Sequence, residues 1–177
     1  MSSEVKSTTR IATLAIAIAI VTVFTMVVKI PTPGGGYLNC SDVAIAFFAF
    51  LLSPTSSLLA SGLGACLADA ISGYAQWVPI TFVAHGLEGL FVALIVKEKD
   101  REFSKKERVI RKLLAVLTST ISVALFYFLL SGTFLYGYAT ALVEVPGNLI
   151  QAGVGSVLGF VLSEAVKKAY PPVSKLK

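Results

Sequence analysis

The chain has 177 residues, of which 55% are hydrophobic and only 14% are Asp, Glu, Lys or Arg. Soluble domains typically carry about 25% charged residues, so this composition excludes an ordinary soluble enzyme and indicates an integral membrane protein. The formal net charge is +5, but the basic residues lie in clusters between apolar segments rather than along one surface. No nucleic-acid partner is therefore expected.

Six apolar segments predict six transmembrane helices, since about 20 apolar residues cross a hydrocarbon core of roughly 30 Å. The longest run without charge covers 31 residues, 113–143. The second segment is short, because twelve residues rise only about 18 Å as a helix, and we expect Tyr37–Ser41 to extend it to a full crossing. In chain order, the helices are expected at about 9–28, 42–53, 54–72, 79–96, 112–130 and 138–169.

Fourteen of the fifteen Lys and Arg residues fall in three clusters, at 6–10, 97–112 and 167–177. Short cytoplasmic loops are enriched in Lys and Arg, so all three clusters are expected on the cytoplasmic side. Four predicted crossings separate the first cluster from the second, and two separate the second from the third. The prediction is one all-α integral membrane domain, 1–177: a six-helix transmembrane bundle with both termini in the cytoplasm and a cytoplasmic loop at about 97–112.

Acidic, amide and aromatic side chains gather toward the predicted outer ends of the helices. Charged groups inside a bilayer are costly and often mark a binding or transport site. His85 and Glu88 are spaced i,i+3 and share one helix face, and Glu144 and Asn148, spaced i,i+4, share another. We predict a ligand-binding site formed by nine residues: Asn39, Asp69, Tyr74, Gln76, Trp77, His85, Glu88, Glu144 and Asn148.

Within this predicted site, Glu88, His85 and Asn148 are expected to form hydrogen bonds with the ligand. Trp77 or Tyr74 is expected to stack on it, because a flat aromatic ring suits a flat heterocycle. One cation, Lys29, lies outside the three basic clusters. A phosphate or a polycarboxylate would therefore find little to pair with, and a neutral or weakly basic heterocycle fits better.

Several motifs within residues 9–96 resemble a known transporter family. They are Ile30–Asp42 (IPTPGGGYLNCSD), Gly62–Asp69 (GLGACLAD), Ser72–Trp77 (SGYAQW) and His85–Gly89 (HGLEG). These motifs are similar to those of the substrate-binding S components of energy-coupling factor (ECF) vitamin transporters, in the group assigned to riboflavin, hydroxymethylpyrimidine and pyridoxine. The resemblance implies six membrane helices and the capture of a vitamin from outside the cell.

The resemblance also implies partners. A membrane scaffold protein and two ATPase subunits form the module that drives release of the vitamin inside the cell. In the family, small residues of the first helix contact the scaffold in an AxxxA pattern, which Ala15 and Ala19 fit here, with Ala12 also available. Small residues at this spacing let helices approach closely in lipid. The implied location is a bacterial cell membrane.

No cofactor is expected on this chain. It lacks the G-x-x-x-x-G-K-S/T phosphate-binding loop, so ATP is expected to be used by the partner ATPases. Cys40 and Cys66 show no metal-ligand spacing, and no metal is expected. Because the predicted site is rich in acids and poor in cations, hydroxymethylpyrimidine or pyridoxine is favoured as the ligand, with riboflavin next.

Two functions of other classes are compatible with the same residues. An intramembrane enzyme could use His85, Glu88 and Asp69 as acid–base groups or metal ligands, but a single histidine and no HExxH motif disfavour it. A stand-alone proton-coupled carrier or channel could use Asp69, Glu88 and Glu144 as a relay. The lack of polar residues through the inner half of the helices disfavours a continuous path. Asp42 and Asp69 also have a purely structural interpretation, with Asp42 as a helix N-cap.

Overall fold

A computed structural model describes residues 3–97 and 103–175. Within these ranges the chain is helical apart from one short hairpin, so the predicted all-α architecture is confirmed. The centre of the predicted cytoplasmic loop, 98–102, and the last two residues of the chain, 176–177, lie outside the described residues. The helices are α1 (Ser3–Val27), α2 (Ser41–Ala49), α3 (Pro54–Ile71), α4 (Val78–Val96), α5 (Lys105–Ser131) and α6 (Tyr138–Ala169).

A β-hairpin, rather than a helical extension, precedes α2. Strands β1 (Ile30–Pro31) and β2 (Tyr37–Leu38) pair antiparallel. The turn between them contains Gly35 with φ of 74°, a conformation that favours glycine. The prediction that Tyr37–Ser41 extends the second helix is therefore wrong, because the prolines and glycines before Tyr37 turn the chain back on itself. The helix begins only at Ser41 and ends at Ala49, short of the predicted 53.

The fifth helix begins at Lys105 rather than at about 112. Ser104 and Glu107 form a capping box, in which Glu107 N donates to Ser104 Oγ (3.2 Å) and Ser104 N donates to Glu107 Oε2 (2.9 Å). Two backbone donors are satisfied in this way, so the second half of the predicted cytoplasmic loop is helical. A π-helical turn, Gly132–Tyr136, joins α5 to α6.

Within the described residues, four segments are long and apolar enough to cross a membrane: Thr8–Val27, Val78–Val96, Lys105–Tyr136 and Tyr138–Ala169. The nine residues of α2 rise only about 14 Å, too little to cross the hydrocarbon core alone. α3 is rich in Ser, Gly and Ala and is not among these four segments. Six crossings and the cytoplasmic side of both termini stay predictions.

The helices alternate between two ends of the bundle. One end, which we call the pocket end because a pocket opens there, contains the hairpin and the residues that it contacts. The turn after α2 reaches the other end, where Lys167 Nζ lies 5.8 Å from the centre of the Phe50 ring. α3 returns to the pocket end, where Asp69 accepts a hydrogen bond from the Tyr37 hydroxyl. We call the second end the basic end, after four cations that surround a cleft there: Arg108, Arg111, Lys112 and Lys167.

Glycine allows the closest helix contacts. A Cβ added at Gly155 of α6 would lie 2.5 Å from Cβ of Asp42 in α2, and one added at Gly64 of α3 would lie 2.6 Å from Cβ of Val21 in α1. Small residues let helices approach closely in lipid. The approach of α6 to α2 fixes the position of Asp42 at the pocket end, against the last helix.

Candidate ligand-binding site

A pocket lies at the pocket end, between the hairpin and helices α1 and α3 to α6. Its space, including the open mouth, is about 530 Å³. None of the lining residues that the structure describes is a lysine or arginine. They are Thr25, Thr32, Gly36, Tyr37, Leu38, Asn39, Asp69, Trp77, Thr81, His85, Tyr127, Ser131, Tyr136, Glu144, Asn148 and Gln151.

The hairpin forms the roof of the pocket, and separate helices hold it in place. Three hydrogen bonds join the roof to α6 and α4: Gly34 N to Glu144 Oε1 (2.5 Å), Asn39 N to Gln151 Oε1 (2.7 Å) and Trp77 Nε1 to Gly35 O (3.3 Å).

Aromatic rings form one wall. The ring centres of Trp77 and Tyr136 are 5.8 Å apart, and those of Trp77 and Tyr127 are 6.0 Å apart. His85 meets Tyr127 edge-on at 5.5 Å. Trp77 is almost fully buried although it stands at the start of α4. Such a wall offers flat surfaces to a planar ligand.

Two carboxylates face the pocket, and neither forms an ion pair with a lysine or arginine of the part of the chain that the structure describes. Asp69 is 4% exposed and accepts a hydrogen bond from the Tyr37 hydroxyl (2.6 Å). Glu144 is 9% exposed and holds the roof. Burial, and secondly the hydrogen bond to Asp69, raise the pKa of the Tyr37 phenol, so Tyr37 stays a neutral donor. The nearby Lys29 ammonium instead donates to the Ser72 hydroxyl and lies 5.1 Å from the centre of the Tyr37 ring.

Among the described residues of the pocket wall, two buried hydroxyls have no hydrogen-bond partner within 3.5 Å. They belong to Thr32, in the hairpin turn, and Tyr136, in the π-helical turn. A buried polar group without a partner costs about 1–3 kcal/mol. A ligand that offers a donor or an acceptor at these positions would remove that cost.

Beneath the pocket, a chain of buried side chains links three helices. His85 Nδ1 lies 2.8 Å from Glu88 Oε2, and the Ser119 hydroxyl of α5 donates to Glu88 Oε1 (2.5 Å). The Ser119 hydroxyl also lies 2.6 Å from that of Ser156 in α6. His85 lines the pocket, whereas Glu88 is fully buried below it.

Comparison with known proteins identifies the family. The model of the ECF-type riboflavin transporter S component matches residues 5–168. The chain belongs to this family. It is 36% identical over 154 residues to an uncharacterised protein encoded in the gap 3′ region of Pyrococcus woesei, covering 86% of this chain and 98% of that protein. It is 27% identical over 165 residues to the thiamine precursor transporter HmpT of Lactococcus lactis subsp. cremoris (strain MG1363), covering 92% and 90%.

The resemblance found in the sequence is thus confirmed: the chain is an S component and a membrane protein. The family is one of transporters rather than enzymes. S components bind vitamins and work with the other components of an ECF module. The intramembrane enzyme considered from the sequence is accordingly disfavoured.

The S component brings six of the nine predicted site residues to the pocket wall. The other three lie elsewhere: Tyr74 packs behind Tyr37 with ring centres 4.6 Å apart, Gln76 is exposed, and Glu88 is beneath His85. Their contact with a ligand would be indirect. The six lining residues are Asn39, Asp69, Trp77, His85, Glu144 and Asn148.

Sequence reasoning missed several lining residues, for different reasons. Gln151 follows Glu144 and Asn148 at i,i+7 on one helix face, which the sequence shows, but it is not among the nine predicted residues. Tyr127 lies in the middle of an apolar run. Because this run contains no charged residue, the sequence does not show which of its faces points inward. Tyr37 was assigned to a helix extension, which hid its role in the roof.

The three alanines predicted to contact a scaffold lie on an exposed face of α1. Ala12, Ala15 and Ala19 are exposed, whereas Ala17 and Val21 are fully buried in the bundle. Large apolar side chains flank this face and are also exposed. The face is therefore exposed, as a lipid-facing or partner-facing surface would be.

Proposed function

We propose that this S component captures a small heterocyclic vitamin or vitamin precursor from outside the cell and delivers it through an ATP-driven scaffold module. Hydroxymethylpyrimidine or pyridoxine is the favoured ligand, with riboflavin next. The observation that carries the proposal is the pocket itself, whose carboxylates face no paired cation and whose aromatic wall stands beneath a hydrogen-bonded roof.

The chemistry of the pocket supports this ligand class. Asp69 and Glu144 accept hydrogen bonds, so they favour amino and hydroxyl donors on the ligand. Trp77 and Tyr136 offer ring faces for stacking. A phosphate or polycarboxylate would meet two carboxylates and no lysine or arginine among the lining residues. The name of the relative HmpT, a thiamine precursor transporter, supports a vitamin precursor as the ligand of this chain.

Calorimetry on the purified protein in detergent tests the proposal, with hydroxymethylpyrimidine, pyridoxine, riboflavin and thiamine as ligands. We expect saturable one-to-one binding of one of them. Asp69→Asn, which keeps the size of the side chain but removes its charge, should weaken that binding at least tenfold. No binding to any of the four by protein shown to be folded would overturn the ligand class.

The proposal includes the partner module, and the exposed face of α1 supports that part of it. We expect Ala15→Trp to abolish transport in cells that contain the module while ligand binding in detergent is unchanged, because the indole would block close helix approach. Ala139→Trp, at an exposed alanine of α6, is the matched control and should transport normally. Uptake by the chain alone into liposomes without ATP would instead support the stand-alone carrier.

Under this proposal, the S component lies in the cell membrane of a bacterium, and its pocket end faces the outside of the cell. The roof is then the first part of the protein that an external ligand meets. Proteolysis or thiol labelling at the hairpin in intact cells checks this orientation. Labelling of Pro33→Cys, at an exposed position of the hairpin, is expected from outside the cell, and protection there would contradict the topology.

A further inference from the structure

Three potential metal ligands lie together beneath the pocket. Asp42 comes from the first turn of α2, and His85 and Glu88 come from α4. Each residue places one ligand atom within 4.8 Å of the other two. Asp42 and Glu88 are 0% exposed and His85 is 1% exposed. The three residues thus form one buried N,O,O cluster between two helices.

Both carboxylates in this cluster are oriented by a neighbouring donor and keep an oxygen for another partner. Gln151 Nε2 donates to Asp42 Oδ2 (2.6 Å), while Asp42 Oδ1 is buried without any hydrogen-bond partner. Ser119 Oγ donates to Glu88 Oε1 (2.5 Å), which leaves Glu88 Oε2 facing His85. Donors that hold the ligand carboxylates from behind are typical of protein metal sites.

Among the described residues, the basic group that contacts a carboxylate of the cluster is His85 itself. No lysine or arginine of the described residues forms an ion pair with Asp42 or Glu88. Uncompensated charge is costly inside a membrane protein. A divalent cation bound by the two carboxylates and the imidazole would bring positive charge to this buried cluster.

We propose that Asp42, His85 and Glu88 bind one divalent transition-metal ion, such as Zn²⁺ or Mn²⁺, directly beneath the ligand pocket. One imidazole and two carboxylates suit these ions. With metal–ligand bonds of about 2.1 Å, the ligand atoms of one such ion lie roughly 3–3.5 Å apart. The three ligand atoms here lie within 4.8 Å of one another, so side-chain shifts of about 1 Å would complete the site. His85 lines the pocket, which gives the ion a path from outside.

Such an ion would connect the ligand pocket to the helix packing below it. It would fix the ring of His85 in the pocket wall and join α2 to α4. No metal is expected from the sequence, because Cys40 and Cys66 lack metal-ligand spacing and the chain has a single histidine and no HExxH motif. The site depends on the tertiary approach of α2 to α4, which such spacing does not reveal.

Binding of Zn²⁺ and Mn²⁺ to chelator-treated protein in detergent tests the proposal by calorimetry. We expect one saturable site, weakened at least tenfold by Asp42→Asn and by Glu88→Gln. Ser119→Ala leaves all three proposed ligands in place and removes the donor behind Glu88, so it should weaken metal binding about ten- to a hundredfold. Because Ser119→Ala is the variant least disruptive to folding, its result stands even where a carboxylate variant fails to fold.

Two controls make the outcome decisive. Glu164→Gln removes a carboxylate at the basic end and should leave metal affinity unchanged. Cys40→Ser, next to α2, should do the same, because the proposed site has no thiolate ligand. No saturable metal binding by folded protein, or binding that persists in Asp42→Asn and Ser119→Ala, would overturn the metal site. Vitamin binding measured with chelator present is a separate readout, so failure of one proposal is distinguishable from failure of the other.

Discussion

Two glutamates of α6 show how differently the ends of the bundle use the same residue type. Glu144, at the pocket end, is almost fully buried, and its partner is the backbone N–H of Gly34. Glu164, at the basic end, is 37% exposed and bonds to Lys112 Nζ (2.5 Å) and Lys167 Nζ (3.0 Å). The first carboxylate keeps capacity for a ligand, whereas the charge of the second is already balanced.

The comparison concerns more than one helix. Each carboxylate at the pocket end accepts a hydrogen bond from at least one neutral donor: a backbone amide, a phenol, a glutamine amide or a serine hydroxyl. Neutral donors orient a carboxylate without cancelling its charge. A buried acid with such partners can still favour a ligand that brings a donor or a positive charge. The following changes test this difference, beginning with the largest expected effect.

The largest loss of ligand affinity is expected when the hairpin cannot close over the pocket. A Cβ at Gly34 would lie 2.7 Å from the Tyr136 hydroxyl and 2.8 Å from Glu144 Oε1, so Gly34→Val prevents the roof from seating. Overpacking of this kind costs about 2–3 kcal/mol, and we expect ligand binding to weaken roughly thirty- to a hundredfold. Calorimetry with the ligand identified above measures it.

Gly153→Ala is the matched control for the roof. An added Cβ at Gly153 would lie 3.6 Å from Thr120, an ordinary contact, so binding should be unchanged. If Gly34→Val bound the ligand as well as the unaltered protein, the hairpin would not close the pocket, and the comparison of the two ends would lose its basis.

Removing charge from the two glutamates contrasts the ends directly. Glu144→Gln keeps the shape and one acceptor but loses a charge-assisted hydrogen bond, a difference of about 1–2 kcal/mol. We expect ligand affinity to fall about five- to thirtyfold, measured by calorimetry. Glu164→Gln should leave affinity within twofold. Equal losses in the two variants would mean that bulk charge, not the local pocket, governs binding.

The sequence predicts best the helix whose two ends are each marked by a recognisable residue or cluster of residues. α6 has the predicted bounds, Tyr138 to Ala169, because Gly137 precedes a long apolar segment that ends at a basic cluster. α2 was predicted too long, since an apolar run does not show where a helix gives way to a turn. The hairpin was missed because its pairing joins two strands of only two residues each.

The site was predictable where its residues share one helix and not where it is assembled from several. His85 with Glu88, and Glu144 with Asn148, follow from helical spacing. No spacing relates Asp42 to His85, or Ser119 to Glu88, since these contacts exist only after α2 and α5 pack against α4. Periodicity gives the face of one helix but not which faces meet.

Two substitutions of Trp77 distinguish stacking of the ligand on its ring from the hydrogen bond that its indole N–H donates to the roof. Trp77→Phe keeps an aromatic ring beside Tyr136 but removes the indole N–H that donates to Gly35 O (3.3 Å). One neutral hydrogen bond contributes about 0.5–1.5 kcal/mol, so we expect affinity to fall about two- to tenfold. Trp77→Ala also removes the ring and should cost distinctly more. If both variants lost the same affinity, stacking on Trp77 would play no part in binding.

The smallest effect is expected from the ion pairs of the basic end, tested by stability rather than by binding. Glu164 and its two lysines are partly exposed, and such pairs contribute about 0–1 kcal/mol. Glu164→Gln should therefore lower Tm by no more than about 4 °C, and the difference should shrink at high salt, which screens exposed charges. A fall of more than 10 °C that is insensitive to salt would show that this carboxylate stabilises the bundle like a buried one. The two ends would then differ in their partners but not in their energetics.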